Sequence, residues 1–179
     1  MLRLSCHGPA PLVAVELSLP ADVRLCVVGG AGSGRSTLCR LAAGVLLPPS
    51  GGLTLDGSAY TLPEDGSPAP VGFLPFPAPA LTAAQFIDEG LANSLGIAHL
   101  LERPGPYSTG ENQLLQLAGC LGRPHRYLVL DQPLAPLGGA DRERALTALQ
   151  RSPAGLLLTC GEPLNGWDAL SLTNGRLVP

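Results

Sequence analysis

The chain has 179 residues, enough for a single domain with a substantial core. Hydrophobic residues make up 45% and aromatics only 4%, so that core is built mainly from Leu, Val and Ala. The net charge of −3, with eleven scattered Arg and no Lys, argues against nucleic acid as the main partner. No apolar run reaches the length needed to cross a bilayer, because Pro and Gly interrupt each one, and residues 1–9 carry no secretory leader. With five scattered cysteines and no C-x-x-C pair, the expectation is a cytoplasmic chain with reduced thiols and no direct membrane insertion.

Residues 2–5 and 12–19 read as two short strands, the second alternating with Val13, Val15, Leu17 and Leu19 on one face. Residues 20–22 turn into a buried strand over 23–28. A helix runs from Ser36 to about Gly44, and a Pro- and Gly-rich turn at 48–52 leads into an extended stretch over 53–57. Residues 58–70 have the composition of a surface loop. Residues 71–74 form a strand, and the following Pro75, Pro77 and Pro79 break any helix or central strand. Thr82 is a candidate cap for a helix running to about Leu95, with a short apolar stretch at 97–101 behind it. Helices are expected over 111–121 and 141–151, and buried strands over 127–131 and 155–159. Asn174-Gly175 marks a closing hairpin between 170–172 and 176–178.

The chemistry concentrates in residues 29–37, Gly-Gly-Ala-Gly-Ser-Gly-Arg-Ser-Thr, between the 23–28 strand and the helix that follows. Glycines allow backbone N–H groups to turn inward around an anion, and a helix N-terminus adds partial positive charge. The pattern is that of a phosphate loop, with Gly29, Gly32, Ser33, Gly34, Arg35, Ser36 and Thr37 as candidate ligands. Arg35 stands where the loop's lysine is expected, and a planar guanidinium does not fill the place of a compact ammonium. The bland alternative is a bare glycine turn. The apolar strand over 127–130 ends in Asp131, a carboxylate suited, with Ser36, to holding Mg²⁺ beside such a loop. Ser108, Gly110 and Glu111 open the next candidate helix, either as a second anion site or as an ordinary helix cap.

In order and spacing these segments resemble the ATP-binding cassette (ABC) family, the nucleotide-binding subunits of ABC transporters, over nearly the whole chain. Residues 41–57 look like the family's run after its phosphate loop. Ser108-Thr109-Gly110-Glu111 is similar to its signature motif, Val129-Leu130-Asp131 to its Mg²⁺ strand, and residues 175–178 to its closing hairpin. The resemblance implies a three-layer α/β phosphate-loop NTPase fold, with a largely parallel core sheet, an antiparallel N-terminal β-subdomain and a short helical subdomain. It would make residues 1–179 one ATP-binding domain, its helical part reduced to about 77–122. It also implies ATP and Mg²⁺ as cofactors, and a second cassette and a membrane-spanning subunit as partners. Such a subunit would hold the chain peripherally at the inner face of the cell membrane. His7 falls about where the family places an adenine-stacking aromatic; by itself it reads as an exposed N-terminal histidine.

Five departures fall on the chemistry. Besides Arg35, Phe76 stands where the family has a sensing Gln, Gln132 where it has a catalytic Glu, Gly138 where it has an Asp, and Cys160 where it has a His. A Gln can orient water but cannot take its proton, and losing a general base costs about 10²–10⁴ in rate. The resemblance therefore points to a subunit that binds Mg-ATP with weak or absent hydrolysis and pairs with a competent cassette. The alternatives are an ATPase compensated by Arg35 and a partner, or a small phosphate-loop kinase or nucleotide-reading regulator. A kinase needs arginine-rich lid segments, and residues 76–127 show none.

Overall fold

The computed structural model describes residues 1–63, 67–79, 87–103 and 105–179. Two sheets organise it. The first is antiparallel, with order β2-β1-β4-β5, formed by β1 (Leu2–His7), β2 (Val15–Leu19), β4 (Ser50–Leu55) and β5 (Ser58–Ala59). The second has six strands in the order β10-β9-β3-β8-β7-β6. Its members are β3 (Arg24–Val28), β6 (Val71–Leu74), β7 (Tyr127–Leu130), β8 (Gly155–Cys160), β9 (Asp168–Thr173) and β10 (Arg176–Val178). Every pairing in it is parallel except β9 with β10.

Alternation along the parallel strands divides the core in two. Cys26, Leu128, Leu130, Leu156 and Leu158 face one cluster, while Leu25, Val27, Tyr127, Val129 and Leu157 face the other. The first cluster is completed by α2 (Glu89–Leu95), α3 (Ala98–Leu101), α4 (Thr109–Leu121) and α5 (Gly139–Arg151). The second is completed by α1 (Arg35–Ala42) and the apolar face of β1 and β2. Strands buried on both faces need apolar residues throughout, which is why Tyr127–Leu130 and Gly155–Cys160 are continuous buried runs. This is the three-layer α/β arrangement expected from the sequence.

Local chemistry sets the boundaries. The closing hairpin turns on Asn174 (φ 50°) and Gly175 (φ 72°), the two left-handed positions that a tight hairpin requires. Gly44 (φ 73°) follows α1, and Gly96 (φ 74°) caps α2. Three expectations need correction. Val13 does not share the buried face of Val15, Leu17 and Leu19; it is 45% exposed, because β2 begins only at Val15. The helix ending at Leu95 starts at Glu89, where the Asp88 carboxylate accepts the Leu91 N–H at 2.9 Å. Thr82, its expected cap, lies outside the described residues. Within the 58–70 loop, Ser58–Ala59 pairs with β4 as a two-residue strand.

The cysteines depart further from expectation. Cys26 and Cys160 form a disulfide across 134 residues, while Cys6, Cys39 and Cys120 are free thiols. The expectation of reduced thiols rested on an odd cysteine count and the absence of a secretory leader, and neither carries information about two parallel strands meeting.

Gly51 marks where the antiparallel sheet tolerates no side chain: at φ 82°, a Cβ there would lie 2.2 Å from the Ser5 carbonyl oxygen. At neighbouring Gly52 a Cβ would meet nothing within 4 Å. Gly51→Ala is expected to cost about 2 kcal/mol or more, and Gly52→Ala under about 1 kcal/mol, in paired urea-unfolding measurements.

Candidate functional site

The loop 29–37 leaves the C-terminal end of β3 and enters α1, as its glycines demand. Gly32 (φ 75°) and Gly34 (φ 102°) are both left-handed, and Gly34 is the N-cap of α1. No side chain caps that helix and no acidic residue lies in its first turn, so its leading N–H groups are left for an anion. One side of the loop is packed: a Cβ on Gly29 would lie 2.6 Å from Ser33 Oγ, and one on Gly34 would lie 2.9 Å from Leu12. The other side is open, since a Cβ on Gly30 or Gly32 would meet nothing within 4 Å. Ser33 Oγ is buried and has no hydrogen-bond partner among the described residues.

Asp131 stands one strand beyond β8, at the same end of the sheet. It is 2% exposed, and its backbone N–H donates to the Leu74 carbonyl at 2.8 Å. Thr159 Oγ1 donates to Asp131 Oδ1 at 2.8 Å and accepts the Gln132 N–H at 2.9 Å. Gln132 takes a left-handed conformation, φ 45°, at the turn. Behind it, the Cys39 thiol lies 4.0 Å from both Thr159 Oγ1 and the Leu130 carbonyl. Burial first, and then the Asp131 charge, push that thiol well above the ordinary cysteine range. Ser36 and Asp131 supply hard oxygen atoms of the kind Mg²⁺ takes. Among the described residues there is no cluster of three or more His, Cys, Asp or Glu for a softer metal.

Arg35 does not project freely from the loop. Its Nη1 donates to the backbone carbonyl of Cys160 at 2.6 Å. Cys160 places its side chain in the disulfide with Cys26, among the residues facing α2–α5.

The second candidate anion site is a complete capping box. Ser108 Oγ accepts the Glu111 N–H at 3.2 Å, and Glu111 Oε2 accepts the Ser108 N–H at 2.7 Å. Arg103 Nη2 donates to Glu111 Oε1 at 2.9 Å and stacks 5.6 Å over the Tyr107 ring. A Cβ on Gly110 would lie 3.5 Å from the Pro136 carbonyl oxygen, so this helix start abuts the turn before α5. Ser108 and Glu111 bond to each other and to Arg103, not to residues 29–37. One turn along, Asn112 donates to the Pro79 carbonyl at 3.0 Å and Gln116 donates to it at 2.7 Å. The stretch after Phe76 is thereby strapped to α4. His7 is exposed at the end of β1, opposite Ser50, and Gly138 is the N-cap of α5.

No family model matches the chain. The thiamine import ATP-binding protein ThiQ of Escherichia coli (strain K12) is 35% identical over 157 residues, covering 76% of this chain and 68% of its own. ThiQ of Shigella flexneri serotype 5b matches to the same extent. The chain belongs to the ATP-binding subunits of ABC transporters. Solved structures agree on the fold. A bacterial Atm1-family ABC exporter with ATP bound aligns with a TM-score of 0.82 and 18% identity, over 99% of this chain and 38% of the exporter chain. The dimeric bacterial ABC transporter cassette MJ0796 aligns at 0.80 and 16%, over 99% of this chain and 96% of its own.

Within this cassette, sequence reasoning missed Thr159, Arg103 and the Asn112–Gln116 strap. Thr159 had one local signal, a lone polar residue in an otherwise apolar strand. The glutamate of the capping box carries a testable charge. The Ser108 N–H first, and then the Ser108 hydroxyl and Arg103, hold the Glu111 carboxyl below its ordinary value of 4.5. A depressed folded value means stability present above 4.5 and lost as pH falls through the folded value. Wild type is therefore expected to be more stable than Glu111→Gln at neutral pH, with the difference closing below pH 4.5 in urea midpoints measured across pH.

Proposed function

We propose that this cassette binds Mg-ATP at residues 29–37 with little or no hydrolysis and pairs with a second, hydrolysis-competent cassette. On this reading residues 1–179 act as one ATP-binding domain, held at the inner face of the cell membrane by a membrane-spanning subunit. Among the described residues, no helix is long and apolar enough to cross a membrane by itself.

The observation that carries the reading is the turn after β7, where a buried, hydrogen-bonded Asp131 is followed by Gln132. The uncapped N-terminus of α1 and the open faces of Gly30 and Gly32 fit a polyphosphate. Ser36 and Asp131 fit Mg²⁺, which when bound neutralises phosphate charge. The Gln132 amide can orient a water there, but it has no basic atom to accept the proton. Cys160, with its sulfur in the disulfide, offers no side-chain donor in place of the family's histidine. Ser108 Oγ accepts the Glu111 N–H and its hydroxyl also faces the Glu111 carboxylate, so it would reach a nucleotide held by a partner cassette by turning away from that carboxylate.

Purified chain is expected to bind Mg-ATP without releasing phosphate. Ser36→Ala should weaken Mg²⁺-dependent binding by about tenfold or more. Gln132→Glu alone should not restore turnover. Sustained phosphate release by the wild-type chain, in a malachite-green assay, overturns the reading. Affinity purification from native membranes should recover a membrane-spanning subunit and a second cassette, and thiamine, the cargo in the relatives' name, is the first transport assay for that assembly.

A further inference from the structure

We propose that Arg35 is a gate across the phosphate loop, held shut by the carbonyl of Cys160, rather than a ligand of the nucleotide. The inference rests on the reading that residues 29–37 take ATP.

Val28 is the last residue before the loop, and Cys160 is its partner in the parallel β3–β8 register. Arg35 is the first residue of α1, at the loop's far end. The 2.6 Å bond from Arg35 Nη1 to the Cys160 carbonyl therefore brings the side chain from the far end of the loop back beside its near end. On this path the guanidinium rests at the strand end beside the loop's first residue, while the Gly30 and Gly32 faces stay clear. A phosphate approaching the loop N–H groups from the strand end would have to pass the tethered side chain.

The acceptor is well fixed. Cys160 ends a strand paired on both sides, to β3 and β7, and its sulfur is bonded to Cys26. A backbone carbonyl neither titrates nor rotates away, and a hydrogen bond from a cation is about twice as strong as a neutral one. A lysine at position 35 has a shorter reach and no fork of donors, so the substitution itself creates the latch. Opening then requires only that one side chain leave one acceptor, which makes the gate a matter of association rate.

The test is stopped-flow binding of a fluorescent ATP analogue with Mg²⁺ to the full chain. Arg35→Ala removes stem and donor; Arg35→Met keeps an apolar stem for packing and removes only the donor, should the alanine variant fold poorly. Circular dichroism checks folding of each. The expected result is an association rate constant about tenfold higher in the variants, with a dissociation constant equal to or below that of wild type. Binding by a variant when wild type binds nothing supports the gate equally. A dissociation constant raised about tenfold makes Arg35 a phosphate ligand and overturns the proposal. So does an association rate within about twofold of wild type, which leaves Arg35 a purely structural contact. If folded wild type and variants all fail to bind the analogue, the ATP-binding reading falls and the gate with it. Binding at unchanged rates removes the gate alone.

Discussion

The hydroxyl of Thr159 is the contact on which the site's geometry depends. It is fully buried, donates to Asp131 and accepts from the Gln132 N–H, so one side chain fixes both residues of the turn after β7. A carboxylate as buried as Asp131, 2% exposed, needs a donor, since an unpartnered buried charge is destabilising. Thr159 can reach it only because β7 and β8 pair in the register Leu130↔Leu158. A slip of one residue would turn Thr159 to the opposite face, toward α2–α5, and leave Asp131 facing hydrocarbon. The metal-suited oxygen, the left-handed Gln132 and the Cys39 thiol behind them all rest on that register.

On the function proposed above, the residue types that bind are present in this chain and those that hydrolyse are replaced. Loop glycines, Ser36 and Asp131 are of the types that hold a nucleotide. Phe76, Gln132, Gly138 and Cys160 replace groups that in the resembling family sense, polarise or cross to a partner. The geometry adds physical content to that contrast. Cys160 is covalently engaged with Cys26, and the Gln132 backbone is committed to Thr159. Glu111 brings a carboxylate to the signature helix but is held by Ser108 and Arg103, so its charge serves the helix end.

What could be read from the sequence was what local chemistry determines. The glycine loop, the buried runs of β7 and β8, the Asn174-Gly175 turn and the Ser108–Glu111 cap each depend on residues a few positions apart. What could not be read depends on distant pairs. Cys26 meets Cys160, Arg35 meets the Cys160 carbonyl, and Thr159 meets Asp131 only because parallel strands bring them side by side. No spacing rule encodes such meetings. Val13 misled for a related reason: it continues an alternation whose strand has not yet begun, and its N–H pairs instead with Gly175. Thr82 was the one cap weighed for the helix ending at Leu95, and the Asp88 carboxylate that starts it was not singled out.

The strap of Asn112 and Gln116 onto the Pro79 carbonyl has a mechanical consequence. Both side chains rise from the first turns of α4, and the carbonyl they hold lies five residues beyond Leu74, the last residue of β6. Helix start and strand exit are therefore joined by two amide hydrogen bonds at the surface, a tie between them that does not run through the core.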